Sequence, residues 1–307
     1  MTAPHTAESA HTAESENNEE KNDMVIARTA VIGSGLMGAG IAEVLAKSGC
    51  DVIVSEVSDD AVAAGRARIE KSLAKAVEKG KLSAAESEAA LSRLRFTTDI
   101  ADLADRQLVI EAASENEDIK KAIFAQLDEV VTDPTAILAS NTSSMPIIRF
   151  AQATSRPERV LGIHFFNPAP VQPLVEIVSS VLTDPEVAET ATTFVTEVLG
   201  KAPVQASDRP GFIVNALLIP YLCSAIRMLE AGLATKEDID TGMVKGCAHP
   251  MGPIALADLV GLDTCLFAAE SIYTETGDPA AKPPVLLSRM VDAGLLGVKS
   301  GRGFYEY

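Results

Sequence analysis

A short apolar run, Thr29 to Ile32, leads straight into the turn Gly33-Ser34-Gly35-Leu36-Met37-Gly38, and this turn constrains the fold more than any other stretch of the chain. An apolar run of that length ahead of glycines is how a buried parallel strand enters a tight turn. In a G-x-G-x-x-G turn the first glycine, Gly33, permits the bend. The second, Gly35, lets the backbone approach a pyrophosphate, and the third, Gly38, lets the helix pack close to the sheet. Unpaired N–H groups at the helix start, around Leu36 and Met37, then bind phosphate oxygens. Glycines at such spacing also recur in turns for steric reasons alone, so the flanking sequence has to decide. A helix expected from about Leu36 to Lys47, a stop at Gly49 and a strand from Asp51 to Glu56 complete a β-α-β unit. Glu56 stands about 20 residues past the turn, where a carboxylate accepts hydrogen bonds from both ribose hydroxyls of NAD and repels the 2'-phosphate of NADP. The other reading of Glu56 is a solvated strand end.

The alternation continues. Strands are expected at Leu108 to Glu111 and Ala136 to Ala139, with a helix from Glu117 to Val130 between them. Val160 to Phe165 and Leu174 to Val178 read as two strands joined through Asn167-Pro168-Ala169-Pro170, followed by a helix from Pro185 to Leu199. Beyond Pro203-Val204-Gln205 the pattern changes to long helices separated by Gly232, Gly242, Gly252 and Gly261. The expected fold class is α/β: a Rossmann-type doubly wound sheet over 25–206, then an all-helical C-terminal domain over 207–307. A helical hairpin over about 61–95 interrupts the first domain and carries Arg66, Arg68, Lys71, Lys75, Lys79 and Lys81. Its basic side is either a binding surface or a solvated helix face. The most apolar run, Phe212 to Leu222, contains Asn215 and Pro220 and falls short of the roughly 18 uninterrupted apolar residues of a membrane span. A buried or interface helix is expected there.

A formal net charge of −17 argues against sequence-independent nucleic-acid binding. Any phosphate site must therefore be local, as the glycine turn is. Four cysteines and four histidines show no metal-type or redox-type spacing, so no metal is expected and a reducing, cytoplasmic setting is. Residues 1–24 hold a repeated HTAES string and an excess of acid, and are expected to be a disordered tail rather than a targeting segment.

His5 and His11 fall in that tail, which leaves His164 and His249. Oxidising an alcohol by hydride transfer requires a group that takes the hydroxyl proton, and imidazole titrates near neutrality. His164 sits where a strand ends, in His164-Phe165-Phe166-Asn167-Pro168, and Glu176 lies twelve residues on in the adjoining strand. A carboxylate on one ring nitrogen would fix the tautomer and stabilise the imidazolium. A histidine beside aromatics is also often structural, and both readings stand on pattern alone. A serine-hydrolase reading lacks its G-x-S-x-G elbow, since Ser143 and Ser144 lie in a strand-to-loop segment.

Taken together, the residues from Ala27 to Tyr307 resemble the L-3-hydroxyacyl-CoA dehydrogenase family. The resemblance rests on VIGSGLMGAGIA, Ser140-Asn141-Thr142-Ser143-Ser144, HFFNP at 164 to 168, Pro210 to Asn215, Pro250-Met251-Gly252-Pro253 with Asp258, Gly261-Leu262-Asp263 and the ending Gly301 to Tyr305. It implies NAD as cofactor, an acyl-CoA substrate and a homodimer formed through the helical domain. It also implies His164 as the base with Glu176 as partner, Ser143 and Asn167 at the substrate oxygen and nicotinamide end, and Asn215 at the acyl thioester. Glu115, Lys120 and Lys299 are implied at the NAD site, and Ser72 and Lys79 at coenzyme A. Glu56 stands where many members carry Asp, and His249 matches no functional position. The rivals are a dehydrogenase of the same fold acting on a free hydroxy or sugar acid (L-gulonate or carnitine type), and a non-catalytic crystallin-like protein. The basic hairpin weighs against the first, and intact Ser143, His164, Asn167 and Glu176 weigh against the second.

Overall fold

The computed structural model describes residues 26–307, so the expected acidic tail lies outside the described residues. The glycine turn follows strand β1 (Arg28–Ile32) and opens helix α1 (Leu36–Lys47), which returns through β2 (Asp51–Ser55). The hairpin is α2 (Asp59–Glu78) and α3 (Ala84–Ser92), closed at its second helix by a capping box between Ser83 and Glu86. Then come β3 (Leu94–Thr97), β4 (Leu108–Glu111), α4 (Glu117–Val130), β5 (Ile137–Ser140), α5 (Ile147–Ala151), β6 (Val160–Phe165), β7 (Leu174–Ser179), α6 (Pro185–Thr193) and β8 (Ala202–Ser207). These strands form one sheet in the order β3-β2-β1-β4-β5-β6-β7-β8. All neighbours are parallel except β6 and β7.

The doubly wound class follows from burial on both faces. Alternate residues of one strand face opposite sides: Val31, Val52 and Val54 pack with Ile41 and Leu45 of α1 and with Ile69 and Leu73 of α2. Ala30, Ile53 and Val109 pack against Phe124 and Leu127 of α4 and Phe150 of α5. The order turns back between β1 and β4, so a crevice opens there at the strands' carboxyl ends.

Sequence pattern does not mark β3 or β8. Both are edge strands of the sheet, only partly buried, and β8 carries Pro203, which cannot donate to a ladder. The helix expected through Leu199 changes after Thr193 into a wider turn over Phe194–Val198.

The second domain is helical: α7 (Val214–Glu230), α8 (Lys236–Gly246), α9 (Pro253–Val260), α10 (Leu262–Thr276) and α11 (Val285–Asp292). Its core joins Leu222 and Ile226 of α7 to Ile254, Leu262 and Leu287. Two carboxylates organise it. Asp240 accepts the N–H groups of Ile254 and Ala255 at 2.8 and 3.0 Å, which caps α9, and the Tyr305 hydroxyl at 2.9 Å. Fully buried Asp258 accepts the N–H groups of Phe304 and Tyr305 at 2.9 and 2.8 Å, fastening the C-terminal segment. Burial and Asp258 push the Tyr307 phenol up to about 12. Among the described residues no helix is long and apolar enough to cross a membrane.

Candidate active site

The glycine turn performs the three steric jobs its pattern requires. Gly33 has φ +86°, and a Cβ there would lie 2.8 Å from the Ala112 carbonyl oxygen. A Cβ on Gly38 would lie 1.9 Å from the Gly33 carbonyl oxygen, so α1 can start this close to the turn only with glycine. A Cβ on Gly35 would meet nothing within 4 Å. Gly35 therefore faces open space, as a position approached by a pyrophosphate must.

That space is a cavity of about 850 Å³ bordered by Gly33, Gly35, Leu36, Met37, Glu56, Glu115 and Lys120. Gly38 is not on its wall and acts through packing alone. The Glu56 carboxylate is held at the rim by the Ser34 N–H and, at 2.7 Å, the Ser34 hydroxyl, with a further N–H from Val57 at 3.2 Å. An open phosphate seat at a helix start and an anchored carboxylate one strand away fit NAD. Gly35→Ala is expected to weaken NADH binding by about tenfold, roughly 1.4 kcal/mol, with the melting temperature unchanged. Unaltered affinity by fluorescence titration would mean the phosphates sit elsewhere.

The far wall comes from β4, α4 and β5. Glu115 accepts the Thr142 hydroxyl at 3.0 Å and the Ser143 N–H at 3.2 Å. Lys120, one of the residues implied at the cofactor, is 1% exposed and its ammonium bonds Glu111 at 2.8 and 3.0 Å. Sequence reasoning gave Glu111 and Asn141 no role. Asn141 lines the cavity and accepts the Phe165 N–H at 2.8 Å, tying the end of β5 to that of β6.

Antiparallel register pairs His164 directly with Glu176 across β6 and β7. Their side chains meet, Nδ1 to Oε2 at 2.7 Å, with His164 6% exposed and Glu176 fully buried. A carboxylate accepts only, so the proton of the neutral imidazole lies on Nδ1 and Nε2 offers a lone pair. The other oxygen of Glu176 accepts the N–H groups of Ile213 and Val214 at 3.0 and 2.9 Å, at the start of α7. One carboxylate thus holds both the histidine and the first turn of the helical domain. The rings of Phe166 and Phe212 close on His164, with centroids 4.6 and 5.6 Å away.

Asn215 lies in that first turn of α7, half-buried, and Asn167 is exposed just beyond β6. Ser72 lies on the last two turns of α2 and is partly buried, and Lys79, the residue that caps the helix C-terminus, is exposed. Two of the hairpin's basic residues, although exposed, already have partners. The Arg66 guanidinium sits 4.4 Å above the Phe96 ring, and Arg68 donates to the Ser34 carbonyl at 3.0 Å, bracing the glycine turn. Lys299 is outside the cavity lining and forms an ion pair with Asp263 at the start of α10. His249 is engaged by the Tyr221 hydroxyl at 3.2 Å. Among the described residues no cluster of metal ligands occurs.

Comparison with known proteins agrees with this architecture. The family model described as 3-hydroxyacyl-CoA dehydrogenase, NAD binding domain, matches residues 28–209, and that of the C-terminal domain of the same family matches 211–307. A 3-hydroxybutyryl-CoA dehydrogenase of Mycobacterium tuberculosis is 57% identical over 282 residues, covering 92% of this chain and 99% of the relative. The mitochondrial hydroxyacyl-coenzyme A dehydrogenase of Homo sapiens is 42% identical, with 92% of each chain covered. The crystal structure of (S)-3-hydroxybutyryl-CoA dehydrogenase PaaH1 from Ralstonia eutropha superposes with a TM-score of 0.87 at 43% identity, over 92% of this chain and 99% of that one. The glycine turn, the carboxylate rim and the helical second domain are those of an NAD-dependent oxidoreductase, and the chain belongs to the 3-hydroxyacyl-CoA dehydrogenase family.

Proposed function

We propose that the protein catalyses the NAD-dependent interconversion of (S)-3-hydroxyacyl-CoA and 3-oxoacyl-CoA, with 3-hydroxybutyryl-CoA as the representative substrate. The observation that carries the mechanism is the 2.7 Å contact between His164 Nδ1 and Glu176, which leaves Nε2 as a proton acceptor. NAD, when bound, supplies the hydride acceptor at the nicotinamide. His164 Nε2 takes the proton of the substrate's 3-hydroxyl group, and Glu176 balances the charge that then develops on the ring. In the reverse direction Nε2 returns the proton to the 3-oxo oxygen as hydride returns to C3, so the same groups serve both directions. Ser143 and Asn167 hold the substrate oxygen and the nicotinamide end, Asn215 holds the acyl thioester, and Glu115, Lys120 and Lys299 serve the cofactor side. Ser72 and Lys79 hold coenzyme A at the C-terminal end of α2.

The Rossmann-type unit ends near Ser207, where β8 stops. Exposed apolar side chains on the helical domain, Leu217, Leu233 and Val285, favour a homodimer through that domain. All four cysteines are free and three are buried, with burial pushing Cys50 and Cys223 up to about 11; this supports a reducing, cytoplasmic setting. The acidic net charge and the absence of a membrane-length apolar helix among the described residues favour small-molecule substrates over nucleic-acid or membrane partners. The test is reduction of acetoacetyl-CoA against free acetoacetate, each with NADH and with NADPH. The proposal expects the thioester and NADH, and preference for the free acid would turn it toward the hydroxy-acid rival.

A further inference from the structure

Glu111 ends β4 and is fully buried, and the proton transfer proposed above does not use it. Three donors converge on its carboxylate: the Lys120 ammonium, the Ser140 hydroxyl at 2.6 Å and the Ala113 N–H at 2.7 Å. The Lys120 ammonium meets both oxygens of this carboxylate, at 2.8 and 3.0 Å, inside the fold. Lys120 Nζ lies 3.6 Å from Glu115 Oε2, within reach of that carboxylate but not in close contact with it. Glu115 uses its two oxygens on Thr142 and on the Ser143 N–H, and the Thr142 hydroxyl accepts the Met145 N–H at 3.1 Å. A path of polar contacts therefore runs from a buried carboxylate on β4, through a buried ammonium on α4 and its 3.6 Å ion pair with Glu115, to the turn that presents Ser143.

We propose that Glu111 is a positioning residue for the cofactor cavity, acting through Lys120 and Glu115 on the Thr142–Ser143 turn. Glu111 is the stronger partner of Lys120. Without its charge the ammonium is drawn onto Glu115, the remaining carboxylate, and Glu115 leaves Thr142 and Ser143. The turn then loses its tether at the wall where the nicotinamide end is held. The inference rests on the function proposed for this cavity, but the NADH-affinity arm of its test does not depend on substrate turnover.

The test is a double-mutant cycle in the full-length protein. Glu111→Gln is isosteric and removes the charge at the head of the path, while Thr142→Val removes the hydroxyl at its end. NADH affinity is read by nucleotide fluorescence, and kcat and KM separately, all well below each variant's melting temperature. Each single change is expected to weaken NADH by about tenfold, and a turn displaced by 1 Å to cost up to about 10²-fold in kcat. Effects passing through one path are not additive, so the double variant should resemble the worse single one. Additive effects, or unchanged affinity and kcat in a Glu111→Gln protein that has only lost thermal stability, would overturn the proposal and leave Glu111 a structural residue. If Glu111→Gln does not fold, the cycle is run with Glu111→Asp, which keeps the charge but withdraws it from Lys120 by one methylene: a smaller loss of NADH affinity, still non-additive with Thr142→Val, is expected, and unchanged affinity or additive losses would overturn the proposal. Failure of the wild-type protein to reduce any 3-oxoacyl-CoA would instead refute the proposed function, with the NADH cycle still readable.

Discussion

Replacing His164 with alanine is expected to lower acetoacetyl-CoA turnover by about 10²- to 10⁴-fold, the range typical of a positioned general base, while NADH still binds. The separation is geometric. His164 lies on β6, held by Glu176 and flanked by Phe166 and Phe212, and is not among the residues bordering the cavity at the glycine turn. Alanine at that position removes the Nε2 acceptor without touching Gly33, Gly35 or Glu56. Stopped-flow reduction together with NADH fluorescence titration reads both quantities on one sample. Turnover within a few-fold of wild type would remove His164 from the mechanism, and lost NADH affinity would move it into the cofactor site.

The second large effect separates two jobs of one carboxylate. Glu176→Gln keeps an oxygen for the Ile213 and Val214 N–H groups but can set an amide N–H against His164 Nδ1. Nδ1 must then accept, which puts the ring proton on Nε2, the wrong tautomer for a base. The Gln variant should therefore fold with little loss of stability and still lose turnover by about 10²-fold or more. Glu176→Ala leaves the two backbone donors and the histidine without their buried acceptor. At about 1 to 3 kcal/mol for each unsatisfied group, it should lose several kcal/mol as well as activity. Thermal melts and kcat on both variants decide this. Equal destabilisation by Gln and Ala would mean that the α7 contacts contribute nothing, and an active Gln variant would dismiss the tautomer argument.

How far the site could be read beforehand depended on the range of the interactions involved. The glycine turn was legible because each glycine answers a local steric demand, and Glu56 because it follows one strand later. His164 and Glu176 were legible as a pair because only the short connection through Asn167 to Pro170 separates two apolar strands, so their pairing was the simplest available. What was hidden is set by tertiary contact. A glutamate ending a strand, as Glu111 does, has the look of a solvated end until Lys120 and Ser140 close on it. The α7 amides that meet Glu176 come from residues 37 and 38 positions further along the chain. Nothing in the basic periodicity of the hairpin shows that Arg66 and Arg68, exposed like Lys79, reach the Phe96 ring and the Ser34 carbonyl. The C-terminal motif around Gly303 looked like part of a family signature. Its structural reason is that a Cβ there would lie 2.0 Å from Asp258 Oδ1.

The central claim is that the NAD cavity and this histidine together serve the oxidation of an acyl thioester. The most direct measurement is the initial rate of NADH oxidation with acetoacetyl-CoA and with free acetoacetate at equal concentrations, repeated with Lys79→Glu. Rapid reduction of the thioester, slow reduction of the free acid, and a higher KM for the thioester alone in the Lys79→Glu protein are the expected results. Comparable rates on the two substrates, with Lys79→Glu indistinguishable from wild type, would contradict it.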